Sequence, residues 1–477
     1  MLFNSFSFLV FFPIVTIIYF LIPRKFQWIH LLLISCIFYC FFIPVYILIL
    51  LVTILIDYTA GIYIEKTQGR TKKNWLLVSI ISTCLVLFVF KYFNFFTSNF
   101  IAIGKFFNLR YPGQLLNIIL PIGLSFHTFQ SLSYVIEVYR GNQKAERHFG
   151  IYSLYVMFYP QLVAGPIERP QNMLHQFYEK HDFSYRNVTE GLKRMAWGLF
   201  KKVVIADRLS IYVNPVYNNH DHHNGTSLMV ATIFFAFQIY CDFSGYSDIA
   251  IGSARVMGYT LMENFKRPYF SKSISEFWKR WHISLSTWFR DYVYIPLGGN
   301  RVSKFRQYYN LLITFIVSGF WHGANWTYVI WGALNGFYLV IGQICSHFFN
   351  SVRIMFKKHK SGVVLNLFDI LITFILISIA WIFFRAKDFN AAISILHKVF
   401  FDPGTLFIGN NKDMIYSVLF LVILLTVEAF EEYKLLNGFS LFRNKNMFVR
   451  RLAYATVIIS IILFGVFDSS QFIYFQF

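Results

Sequence analysis

Charge is what this chain has least of: Asp, Glu, Lys and Arg make up 14% of its 477 residues, against 56% hydrophobic. Soluble domains carry about a quarter charged residues. That scarcity excludes a water-exposed surface around an ordinary core and leaves the bilayer as solvent for much of the chain. Acidic residues are scarcer still, 23 against 43 basic, for a formal net charge of +20. The basic residues flank apolar runs instead of forming one soluble patch. This excludes nucleic acid as a partner and fits positive loops facing the cytoplasm and anionic lipid. The five cysteines, Cys36, Cys40, Cys84, Cys241 and Cys345, lie in apolar stretches without a CxxC pair. They read as small buried hydrophobes, not disulfides or metal ligands. No GxGxxG, GxxxxGK[ST] or GxSxG pattern occurs, so nothing suggests a nucleotide-binding or serine-hydrolase domain. There is no internal repeat and no low-complexity tail. What is abundant is aromatic: 21% of residues, with 58 Phe, 30 Tyr and 10 Trp, suited to membrane interfaces.

Hydropathy then places the spans. Residues 5 to 22 form the first apolar run, and charge first appears after it, at Arg24. The run therefore predicts a retained span, not a cleaved signal. Arg24 and Lys25, and later Lys66, Arg70, Lys72 and Lys73, predict cytoplasmic loops and hence an outward N-terminus. Residues 26 to 56 are too long for one span and predict a helical hairpin turning near Pro44. Further spans are predicted at 75 to 90, 114 to 134, 150 to 165, 228 to 258, two within 307 to 352, and at 363 to 384, 414 to 429 and 451 to 467. The total is about eleven, in one all-helical polytopic domain over residues 1–477. Residues 166 to 227, with the run His220-Asp221-His222-His223, read as interfacial or loop, and that run as solvated instead of metal-binding.

The connector 261 to 306 is the most basic stretch, with nine basic residues against three acids. Ser273-Ile274-Ser275-Glu276 fits a helix-capping box. From there Trp278, His282, Leu285 and Phe289 fall on one helical face, Arg280, Ser284, Thr287 and Asp291 on another, and Pro296 to Asn300 ends the helix. An amphipathic helix at the inner interface fits, with His282 either a site residue or a plain interfacial polar tip.

His322 lies in one of the most apolar stretches, where the other ionisable side chain is His347. A span starting near Tyr308 puts it about 20 Å along a helix, deep in the bilayer, where ionisable groups face a cavity or bundle interior. Ser318, Gly319, Gly323 and Ala324 permit close packing, a helix break or a channel. Trp321, Trp326 and Trp331 supply walls. A neutral imidazole there can take a proton from a hydroxyl, as acyl transfer to an alcohol requires. The alternative is a core histidine satisfied by a neighbouring backbone. Asp242 and Asp248, in Cys241 to Asp248, either orient a histidine and line a cavity or cap a re-entrant turn. His127 is a third buried-looking histidine, and Glu168-Arg169 an acid–base pair at an interface.

With these residues in view, the chain resembles the membrane-bound O-acyltransferases, in the bacterial branch of alginate O-acetylation and of D-alanyl transfer to teichoic acid. The resemblance rests on CDFSGYSD (241–248), FWKRWHISLSTWFRD (277–291), YIPLGGNR (294–301), SGFWHGANW (318–326), the ending Phe472-Ile473-Tyr474-Phe475 and the opening MLFNSFSFLVFF. It implies a ring of helices around a thinned centre, with a cytoplasmic funnel for an acyl thioester. It implies His322 as catalytic general base and His282 as the second polar residue, holding the donor or stabilising the oxyanion. Trp321, Asn325, Trp278, Arg280, Arg290 and Asp242 are the candidate donor- and substrate-binding residues. The donor is acetyl-CoA or a carrier-protein thioester, with no permanently bound cofactor and no metal. Implied partners are membrane lipid, a cell-surface glycan acceptor and, because no soluble acetyltransferase domain is appended, an extracytoplasmic acyltransferase. The implied location is the bacterial inner membrane. D-alanyl transfer, a glycan flippase and a non-catalytic scaffold are the competing readings.

Overall fold

The computed structural model describes residues 1–109, 113–345, 362–433, 446–467 and 472–473, and every regular element among them is helical. The chain divides into two compact units, Met1–Met195 with Tyr246–Met262, and Ala196–Gly245 with Glu263–Phe477.

In the first unit, α1 (Phe6–Leu21) starts at Ser5, whose hydroxyl accepts from the Phe8 amide, and stops before Pro23, since the residue before proline is held extended. α2 (Arg24–Cys40) and α3 (Ile47–Lys66) are separated by a 3-10 turn opening at Pro44, as the hairpin reading expected. α4 (Gly69–Leu87) runs through a π-turn at Phe88–Tyr92 into α5 (Phe93–Phe106), making one apolar rod of 38 residues. This is far longer than the predicted 75 to 90, because a π-turn carries no sequence mark. The predicted span 114 to 134 is not one helix: 113 to 121 have no regular structure, and α6 (Leu124–Arg140) starts later. It ends in a Schellman-type cap, with Gly141 at φ +79° and the Asn142 amide reaching the Glu137 carbonyl, a left-handed position that glycine tolerates. The predicted span 150 to 165 is broken into α7 (Phe149–Met157) and α8 (Tyr159–Leu162) around Pro160. α9 (Pro170–Met173) follows. Glu168 is buried and accepts from the Met262 amide, instead of sitting at an interface.

Residues 166 to 227 are helical more than loop, contrary to expectation. α10 (Tyr185–Leu199), a π-turn (Phe200–Ala206) and α11 (Asp207–Asn218) carry buried apolar residues from Phe200 to Tyr217. Their amphipathic pattern is diluted by paired charge, which hid it. The remaining helices are α12 (Gly225–Val256), α13 (Ile274–Arg280), α14 (Ile283–Phe289), α15 (Lys304–His322), α16 (Trp326–Ile344), α17 (Gly362–Arg385), α18 (Phe389–Phe401), α19 (Asn411–Glu432) and α20 (Met447–Phe464). The apolar α18 was not anticipated. The histidine run at 220 to 223 is not simply solvated: the carbonyls of His220, Asp221 and His223 accept from the Lys398 ammonium of α18. Of the cysteines only Cys241 is buried, and Cys84 is exposed on its helix. Among the described residues, seven helices are long and apolar enough to cross a membrane.

The second unit's core centres on Trp281, Trp331 and Trp381, each about fully buried. Between spans the lipid offers no hydrophobic advantage over the protein, so dispersion from close packing holds such rings together. α15 and α16 pack with glycine against backbone: a Cβ at Gly319 would lie 2.2 Å from the Tyr328 carbonyl oxygen, and one at Gly332 2.2 Å from that of Phe315. The small residues around His322 thus permit close packing, as read from the sequence.

Candidate active site

His322 is the last residue of α15, not a residue midway along a span. Gly323 is extended, and Asn325 starts α16 by accepting from the Thr327 amide. The imidazole is buried at 6% exposure. Its ring lies 4.8 Å from Trp321, 4.9 Å from Trp331 and 5.3 Å from Phe384, all edge-on. α15, α16 and the end of α17 therefore build an aromatic enclosure around it. Trp278 of the connector lies 5.7 Å from Trp331, and Trp281 lies 5.1 Å from Trp381. The connector thus reaches the second layer of rings around His322.

The connector is not one helix. The capping box forms, with Ser273 accepting from the Glu276 amide. The helix then breaks at Trp281-His282, where His282 takes φ +42°. A left-handed non-glycine residue costs about 1–2 kcal/mol, and such strain concentrates at functional sites. The predicted continuous face from Trp278 to Phe289 is therefore lost, and His282 points inward at 1% exposure instead of lying at an interface. The break is held by residues 263 to 267 running beside it, through Lys266 N–H to Arg280 O and Ile283 N–H to Asn264 O, both 2.9 Å.

Asn264 fixes the chemistry of His282. The Asn264 Oδ1 accepts from the Ser284 amide at 3.2 Å and from the Ser284 hydroxyl at 2.9 Å. A backbone N–H can only donate, so that amide atom is oxygen, and His282 Nδ1 at 3.1 Å must carry the proton it donates. Burial pushes the imidazole down to about 3, so the ring is neutral at ordinary pH. The lone pair is consequently on Nε2. Phe243 lies edge-on at 4.6 Å and Phe265 at 6.3 Å.

The other predicted residues divide. Trp321 and Trp278 join the His322 enclosure. Asn325 caps α16 and donates to the Lys387 carbonyl at 3.0 Å. Arg280 is paired with Glu276 and Glu432 at 2.6 and 2.8 Å. Burial opposes that charge, but the two carboxylates outweigh it and raise its pKa. Arg290 is exposed beside Asp291. Asp242 is buried, bound to Lys202 at 2.6 Å and accepting from the Ile473 amide at 2.6 Å. It ties the chain's end to the π-turn. Tyr474, Phe475 and His347 lie outside the described residues. Sequence reasoning missed Asn264, which lies 18 residues from His282 without periodic relation to it. It also missed Trp381 and Phe384, which are indistinguishable from lipid-facing residues in an apolar span. Among the described residues no three His, Cys, Asp or Glu side chains are grouped to hold a metal ion.

The profile of the membrane-bound O-acyltransferase (MBOAT) family matches residues 148–384, which include both histidines. The chain is 38% identical over 408 residues to the probable alginate O-acetylase of Pseudomonas aeruginosa, covering 85% of this chain and 76% of that protein. It is 37% identical over 393 residues to the peptidoglycan O-acetyltransferase of Helicobacter pylori, covering 77% and 72%. The teichoic acid D-alanyltransferase of Streptococcus thermophilus is 32% identical over 235 residues, covering 46% and 56%.

Proposed function

Because this chain belongs to the membrane-bound O-acyltransferase family, we propose that it moves acetyl groups from a cytoplasmic thioester donor toward an extracytoplasmic polysaccharide, from a place in the bacterial inner membrane. His322 is the general base. Its neutral ring takes the proton of an acceptor hydroxyl, whose oxygen attacks the thioester carbonyl. The new C–O bond forms as the C–S bond breaks, and the thiolate leaves with the proton from His322. The observation that carries this reading is the burial of His322 in an aromatic enclosure at a helix end, where water is excluded and an imidazole can work as a base.

His282 is the donor-positioning residue. With its proton on Nδ1, Nε2 accepts a hydrogen bond, for instance from an amide N–H of a pantetheine arm. This tautomer cannot donate from Nε2 to an oxyanion, which favours the first of its two implied roles. Trp278 and Trp321 wall the donor channel. Exposed Arg290 meets donor phosphates, whereas Arg280 is committed to its two glutamates and Asn325 and Asp242 hold the framework. An extracytoplasmic transferase then carries the acyl group to the glycan. The likeness to a D-alanyltransferase favours D-alanyl transfer from a carrier protein as the second reading.

The test is the acyl content of envelope polysaccharide in cells producing the native chain or His322→Ala at equal membrane levels. Acetyl ester is expected to disappear in the variant. Unchanged acetylation contradicts the reading, and loss of alanyl ester in place of acetyl establishes the second one.

A further inference from the structure

In the first unit a carboxylate stands midway along an apolar helix. Asp57 of α3 is 0% exposed and lies within the candidate span Pro44–Lys66. The Ser79 hydroxyl of α4 donates to it at 2.6 Å, and the Thr83 hydroxyl lies 3.3 Å from both carboxylate oxygens. Two more hydroxyls lie beside this carboxylate: Ser131 of α6 reaches it, and Tyr152 of α7 reaches Ser131. Both are fully buried, and neither oxygen has a partner in close hydrogen-bond geometry. One turn beyond Asp57, Gly61 brings α3 so close to α6 that a Cβ there would lie 2.7 Å from Tyr134. No Lys, Arg or His among the described residues pairs with Asp57.

An ionised carboxylate at such depth is costly unless neutralised. A proton would neutralise it, but its single O–H could serve only one of the surrounding hydroxyl oxygens. A small hard cation does both, since carboxylate and hydroxyl oxygens are what hard cations prefer. Four helices here supply one negative charge and four hydroxyl oxygens, matching a monovalent ion. We infer that Asp57, Ser79, Thr83, Ser131 and Tyr152 form a sodium-ion site that fastens α3, α4, α6 and α7 together.

A ligand that binds only the folded state raises its stability in a saturable way. The purified full chain, in nanodiscs, is melted by intrinsic fluorescence in sodium, potassium or choline chloride at constant ionic strength, and binding of radioactive sodium is counted. The expected result is a melting temperature that rises and saturates with sodium alone, with one sodium bound per chain. Asp57→Asn, which keeps the shape and the hydroxyl contacts, is expected to melt independently of sodium and to bind none. Tyr152→Phe is expected to raise the half-saturating concentration about tenfold, for one weakened ligand. Equal melting in sodium and choline without bound sodium overturns the proposal and leaves a protonated carboxyl. So does a response shared by all salts and kept in Asp57→Asn, which is surface screening only.

Discussion

Asn264 is the residue on which the state of His282 depends. Its Oδ1 gathers the Ser284 amide, the Ser284 hydroxyl and His282 Nδ1, and removing it leaves buried donors unsatisfied at about 1–3 kcal/mol. Asn264→Ala is therefore expected to lower the melting temperature and free the imidazole to rotate. If His282 positions the donor, KM for the acyl donor rises about tenfold while kcat changes less; an unchanged KM contradicts that role. His282 also leaves a mark on stability. Its folded pKa lies below its ordinary 6.5, at about 3, so the unfolded chain binds the extra proton. Stability from the neutral ring is complete above about pH 6.5 and is lost as pH falls from there toward 3. In thermal unfolding against pH, His282→Gln is expected to lose less stability than the native chain over that window; parallel curves contradict the assignment.

At the scale of elements, the α15–α16 pair holds His322 in place through backbone-to-backbone approach. Gly319→Ala or Gly332→Ala forces the helices apart and is expected to cost about 1–3 kcal/mol, read as a lower melting temperature with activity falling in parallel. A variant as stable as the native chain contradicts this packing. Close packing at Gly319 was one of the options legible in the sequence, and Gly332 was not singled out; the existence of α15, α16, α17, α19 and α20 was legible, because long apolar runs are local signals. Three things were not legible. The connector's period of 3.6 continues through the sequence, yet the chain breaks at His282 because residues 263 to 267 pair with it from outside. The rod from Gly69 to Phe106 absorbs its extra residue in a π-turn. Charge in the Lys201 to Arg208 stretch looked like loop and is in fact neutralised internally, with Lys202 between Asp207 and Asp242. Tertiary partners decide all three.

For the whole molecule, the excess of basic over acidic residues sets an expectation for orientation. Under the positive-inside bias, the basic residues around the α3–α4 turn, Lys66, Arg70, Lys72 and Lys73, are expected on the cytoplasmic side. The connector is tied to the end of α19 by Arg267 and Arg280 on Glu431 and Glu432. With the native cysteines replaced, Lys72→Cys is expected to react with a membrane-impermeant maleimide only after the cells are opened; labelling of intact spheroplasts would reverse the orientation. On the proposed reading, a thioester donor reaches His322 at the end of α15, where the imidazole acts on the acceptor hydroxyl.

The most direct test of that account follows release of free coenzyme A from radiolabelled acetyl-CoA by the purified chain in nanodiscs, with an acceptor hydroxyl compound supplied. The account predicts turnover by the native protein and a fall of at least about a hundredfold in His322→Ala, with an unchanged melting temperature. Equal turnover in the two proteins would contradict the assignment of His322 as the catalytic base.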